Sequence, residues 1–123
     1  MAIPKQISSN RARILSYLLK LKRSIDAQHA DLVQAIAQRL NEVLVDYVSY
    51  GHIRLLQDLV PEAHQMAGID KTTQTALAFA EKYTTCGPIN LRLLKQDLEQ
   101  LAFSLEVRFE IEDEVAAEAA ATV

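Results

Sequence analysis

The stretch Leu44-Val45-Asp46-Tyr47-Val48-Ser49-Tyr50-Gly51-His52-Ile53 decides how the chain is read. Leu44 and Tyr47 continue a series of large apolar residues: Leu32, Ile36, Leu40 and Val43. These recur every three or four positions, which puts them on one face of a helix from about Ala30 to Tyr50. Arg39, Asp46 and Tyr50 fall beside that face. Gly51 can take the left-handed backbone that ends a helix, and His52 follows it. A second stretch, Leu105-Glu106-Val107-Arg108-Phe109-Glu110-Ile111-Glu112-Asp113, mixes apolar and charged residues in the same way.

The flanking sequence reads the same. Ser8, Ser9 and Asn10 each offer a cap for a first helix, with Ile14, Leu18, Leu21 and Ile25 as its stripe. The stripe loses its large residues at Asp26-Ala27-Gln28-His29, which predicts a short connection. Beyond Gly51 a third helix is expected near Ile53, with Leu55, Leu56, Leu59 and Val60 in the core. Pro61 marks a kink or the first turn of a short segment to Met66 that Gly68 closes. Asp70 then caps a helix to about Thr84, with Ala76, Leu77, Ala80 and Tyr83 inward. Cys86-Gly87-Pro88 is a firm stop. Asn90 caps the last helix, which runs to about Ala119 on Leu91, Leu94, Leu98, Leu101 and Leu105. Sustained alternation is absent, so no strands are expected. The reading is all-α: an antiparallel, up-down four-helix-type bundle with a short extra kinked segment. Residues 1–123 form a single domain, with 1–9 and 117–123 frayed.

Bulk properties fit one soluble globular domain. The chain has 123 residues, half of them apolar and 24% charged, enough to build one core. No run approaches a membrane span, and the start lacks the apolar core of a signal peptide. Cys86 is the single cysteine, which excludes an intramolecular disulfide and fits a reducing cytoplasm. The net charge of −3 conceals an asymmetry. Lys5, Arg11, Arg13, Lys20, Lys22 and Arg23 precede the first acid. After Gln96, eight acids face the single base Arg108. An acidic end of this kind repels nucleic acid and attracts basic partners, although on composition alone a solvated helix face with no partner is the simpler reading.

Enzyme signatures are missing. The chain has no glycine-rich phosphate loop, no nucleophile elbow and no cysteine pair. A di-metal bundle needs Glu-x-x-His on two helices, whereas His64 follows Glu62 by two positions and His29 has no glutamate three before it. His52 with Asp46 and Glu112 could bind a metal only if the fold brought them together. A structural hydrogen bond is the simpler reading of His52. Arg108 and Glu112 stand one turn apart. They form either a surface pair worth about 0.2–0.5 kcal/mol or part of a polar patch at the bundle edge shared with Asp46 and His52.

The two stretches together resemble the Rsd/AlgQ family, bacterial regulators of the housekeeping sigma factor. The first motif is carried by Leu44, Val45, Asp46, Tyr47, Ser49, Gly51, His52 and Ile53, the second by Leu105, Glu106, Arg108, Phe109, Ile111, Glu112 and Asp113. The resemblance covers about half the chain. Tyr50 departs from it, standing where a small residue is usual, and the connection between the first two helices lacks a loop of about a dozen residues. The resemblance implies a non-catalytic anti-sigma protein without a cofactor. It would bind the C-terminal, promoter-recognising domain of the primary sigma factor and occlude it from core RNA polymerase and promoter. Asp46, Tyr47, Ser49, His52, Glu106, Arg108, Phe109, Glu112 and Asp113 would form the partner-binding set, with Tyr47 and Phe109 either touching the partner or packing the core. Two other function classes stay open: a small metal-binding or enzymatic bundle, and a structural module that pairs with itself or another protein.

Overall fold

The computed structural model describes residues 5–121 except 59–60 and 85–87, and the backbone alone of 51–58. Four helices account for nearly all of it: α1 (Lys5–Asp26), α2 (Ala30–Asp58), α3 (Ala63–Lys82) and α4 (Leu91–Ala121). No strand occurs among the described residues. α4 runs antiparallel to both α3 and α1: Lys82 at the end of α3 reaches Asp97 and Gln65 at its start reaches Glu114. Lys95 on α4 reaches Asp26 at the end of α1, whereas Arg11 near the start of α1 reaches Glu112 far along α4. The expected all-α up-down bundle is the architecture found.

α1 begins earlier than the caps suggest. Ile7 is fully buried and Asn10 is 2% exposed, so the helix passes through Ser8, Ser9 and Asn10. Ile7 lies two turns before Ile14 on the same stripe. The predicted connection after Asp26 is present. Gln28 takes a left-handed backbone (φ 57°), and the His29 amide donates to the Ser24 carbonyl at 3.1 Å while the Gln28 amide donates to Ile25 at 3.0 Å. This six-to-one closure ends a helix without a glycine.

α2 corrects the reading of Gly51. The backbone stays helical from Ala30 to Asp58, so Gly51 ends nothing and no separate third helix starts at Ile53. A glycine inside a helix costs about 1 kcal/mol relative to alanine, a penalty that a long packed helix absorbs. The side chains of His52, Ile53, Leu55, Leu56, Leu59 and Val60 lie outside the described residues. The buried face of α2 is Val33, Ala37, Leu40, Val43, Leu44, Tyr47 and Val48. Leu32 is 48% exposed, because Val33 takes the inward position at the helix start.

α3 also runs straight through two expected boundaries. Pro61 precedes it, and Gln65 secures its start by accepting the Glu62 amide at 2.8 Å. The Pro61–Met66 segment is therefore the approach to α3 and its first turns, not a separate kinked element. Gly68 and Asp70 sit inside the helix. At Gly68 a Cβ would lie 2.5 Å from Ile111 Cδ1, so the missing side chain permits close approach to α4. Leu77 faces solvent and Phe79 is buried in its place. Asn90 caps α4 as predicted, accepting the Leu93 amide at 3.1 Å. α4 then continues to Ala121, past the point where fraying was expected, with Val115 and Ala116 buried near its end.

Candidate functional site

The leucine stripe of α4 is interrupted in a way that organises the bundle. Leu94, Leu98, Leu101 and Leu105 belong to the main core with Tyr47, Leu44 and Ile14. Val115 and Ala116 belong to a smaller cluster with Ile69. Arg108 and Glu112 occupy the stripe positions between, and both are fully buried. They are neither a surface pair nor an edge patch. Helical steps of three and four carry the same face from Leu105 to Arg108, Glu112 and Val115.

Glu112 is the centre of this layer. Its Oε2 accepts from Arg108 Nε at 2.9 Å. Its Oε1 accepts from Arg11 Nη2 at 2.8 Å, from Arg11 Nε at 3.3 Å and from the Tyr47 hydroxyl. Arg11 also donates to Asp113 at 3.0 Å and to the Phe109 carbonyl at 3.4 Å. Arg108 Nη1 donates to Thr73 at 2.7 Å, Thr72 at 3.2 Å and the Ile69 carbonyl at 3.0 Å, which ties α4 to α3. Its Nη2 is buried without a partner. The aromatic rings close the layer. Tyr47 and Phe109 meet edge to face at 5.8 Å, and Arg11 stacks 4.8 Å from the Phe109 ring centre.

Charge and burial shift the titrations. Burial holds the Tyr47 hydroxyl neutral, and the Glu112 carboxylate beside it pushes its pKa up further. For Arg11, burial alone would weaken the charged form, but hydrogen bonds to Glu112 and Asp113 outweigh it and the net shift is upward. At neutral pH the Tyr47 hydroxyl therefore keeps its proton and Arg11 keeps its charge. The layer is a clamp joining four helices: Arg11 from α1, Tyr47 from α2, Thr72 and Thr73 from α3, Arg108 and Glu112 from α4.

The expected site residues separate into groups. Tyr47, Arg108 and Glu112 meet in the buried layer, and Phe109 packs half-buried against it. Asp113 sits at its rim, with its side chain 59% exposed. Asp46, Ser49 and Glu106 are exposed. His52 lies outside the described side chains. Among the described residues, no group of three or more histidine, cysteine or acidic side chains is placed to hold a metal ion. Arg11, Thr72 and Thr73 were not anticipated. Arg11 had a legible signal, falling between Ile7 and Ile14 on the buried face of α1, but its partner lies 101 positions away.

Asp46 opens on a different feature, a cleft of about 700 Å³ between α2 and the end of α3. Gln38, Asn41, Glu42, Val45, Asp46, Ala80 and Thr84 line it. Glu42 and Asp46 are exposed, and Glu42 lies 3.8 Å from Arg39. Asn41 is 6% exposed, and neither its amide nitrogen nor its amide oxygen has a hydrogen-bond partner.

Comparison with known proteins adds one finding. The family model described as Regulator of RNA polymerase sigma(70) subunit, Rsd/AlgQ, matches residues 2–119. No curated protein and no solved structure matches the chain. No helix among the described residues is long and apolar enough to cross a membrane.

Proposed function

This chain belongs to the Rsd/AlgQ family of sigma(70) regulators, and on that premise we propose that it is a non-catalytic anti-sigma protein that binds the C-terminal, promoter-recognising domain of the primary sigma factor. Binding occludes that domain from core RNA polymerase and from the promoter. The chain works in the cytoplasm as a single domain, needs no cofactor and makes no direct contact with nucleic acid. The observation that carries this reading is a family match over nearly the whole chain. Charge supports it: a DNA-reading domain is basic, and exposed acids on this bundle complement it, favouring association rate and specificity.

The nine residues of the expected partner-binding set then divide their work. Asp46, Ser49, Glu106 and Asp113 are exposed and meet the partner. Tyr47, Arg108 and Glu112 are buried and hold the helices that present them. Phe109 bridges the two groups, and His52 completes the motif on α2.

Titration calorimetry of the chain against full-length primary sigma factor tests this. A one-to-one complex is expected, weaker at higher salt and lost when the sigma factor lacks its C-terminal domain. Absence of heat at low salt, or equal binding to the truncated sigma factor, contradicts it.

A further inference from the structure

Asn41 is the feature that neither the fold nor the charge layer uses. Buried polar groups in folded proteins almost always have partners, and an orphan needs a reason. Asn41 leaves both ends of its amide unpaired while forming part of the cleft wall. An asparagine side chain offers one acceptor and two donors, the complement of a peptide group. Glu42 and Asp46, one turn apart on the same wall, attract cations. A cleft of about 700 Å³ is of a size that holds several side chains and far exceeds a single ion.

We infer that the cleft between α2 and α3 seats a basic segment of the sigma factor, whose backbone peptide group pairs with the Asn41 amide while its lysine or arginine side chains meet Glu42 and Asp46. The inference rests on the anti-sigma reading and assigns part of its interface. The amide atoms lie just beneath the cleft wall, shielded from solvent. Pairing with an arriving segment requires the Asn41 side chain to turn toward the cleft into another staggered rotamer. The energetic cost of the unpaired amide then becomes a drive to bind, because the complex satisfies groups that the free protein leaves unsatisfied.

Two variants of the full chain decide it, each measured for thermal unfolding and for binding to full-length primary sigma factor at low salt. Asn41→Leu should bind about tenfold more weakly, the equivalent of losing one well-placed hydrogen-bonding group. Its Tm should rise by about 3 °C, because an unpaired polar group has left the interior. The double variant Glu42→Gln with Asp46→Asn should bind several-fold more weakly with a shallower dependence on salt, and keep its Tm. Wild-type affinity in either variant overturns the inference, and so does a lower Tm for Asn41→Leu, which would make the amide a brace. Failure of the wild-type chain to bind the sigma factor defeats the anti-sigma reading and this inference together. Binding that ignores both variants defeats the inference alone.

Discussion

Glu112 and Asn41 are both polar, both buried and both within packed helices, yet their surroundings are opposite. Glu112 has both carboxylate oxygens occupied by three side chains from three helices. Asn41 has neither amide atom occupied. The first arrangement fixes the bundle in one register. The second leaves hydrogen-bonding capacity at a cleft wall for a molecule that is not part of the chain. A buried polar residue is thus informative only together with its partners: satisfied, it points to architecture, and orphaned beside a cavity, it points to recognition.

Breaking the satisfied side should have the largest effect. Glu112→Gln keeps the shape but leaves Arg108 buried without a counter-charge and Arg11 with only Asp113. Loss of one partner from a buried pair costs about 3–5 kcal/mol, a large share of the roughly 5–15 kcal/mol that holds a domain folded. Urea denaturation should show a midpoint far below wild type. Tyr47→Phe removes one hydroxyl that donates to the same carboxylate. A hydrogen bond to a charged group is worth about 1.5–3 kcal/mol, and the same measurement should place this variant between Glu112→Gln and wild type.

The same hydroxyl sets a pH limit. The pKa of Tyr47 is raised in the folded protein, by burial first and then by Glu112, and that of Tyr83 is raised by burial and by Asp97. In the unfolded chain both tyrosines lose their protons near pH 10. Folding is therefore fully supported by these groups below about pH 10 and loses that support as pH climbs above it, since only the unfolded state releases protons there. Stability measured in urea should be level through neutral pH and decline above about pH 10, with a shallower decline in Tyr47→Phe.

Smaller effects sharpen the contrast at the surface. Lys82 and Tyr83 both donate to Asp97, joining the end of α3 to the start of α4. The Lys82 and Asp97 side chains are 47% and 22% exposed. Asp97→Asn should cost no more than about 1 kcal/mol, as exposed pairs do, and thermal unfolding should shift by only a few degrees. Gly68→Ala should be nearer neutral. The helix gains about 1 kcal/mol in propensity, and displacing the Ile111 methyl returns a similar amount as overpacking.

These contrasts also show where the sequence was informative. The stripes of α1, α2 and α4, the turn at Asp26 and the Asn90 cap were readable because each depends on residues within a few positions of one another. Gly51, Gly68 and Asp70 misled for one reason: local signals for ending or starting a helix are worth about 1 kcal/mol, and packing along a long buried face outweighs them. The charge layer was half visible. Arg108 and Glu112 lie on the helical continuation of Leu91 to Leu105, yet nothing local says that the face stays buried beyond Leu105. That depends on Arg11, Tyr47 and Thr72 arriving from three other helices. Asn41 gave no signal at all, because the absence of a hydrogen-bond partner is visible only in three dimensions.

The opposition between the two buried groups is tested most directly by one measurement: the urea midpoints of Glu112→Gln and Asn41→Leu beside wild type. The account predicts opposite signs, with Glu112→Gln well below the wild-type midpoint and Asn41→Leu above it. Two midpoints displaced downward together would make Asn41 another brace of the bundle and contradict the account.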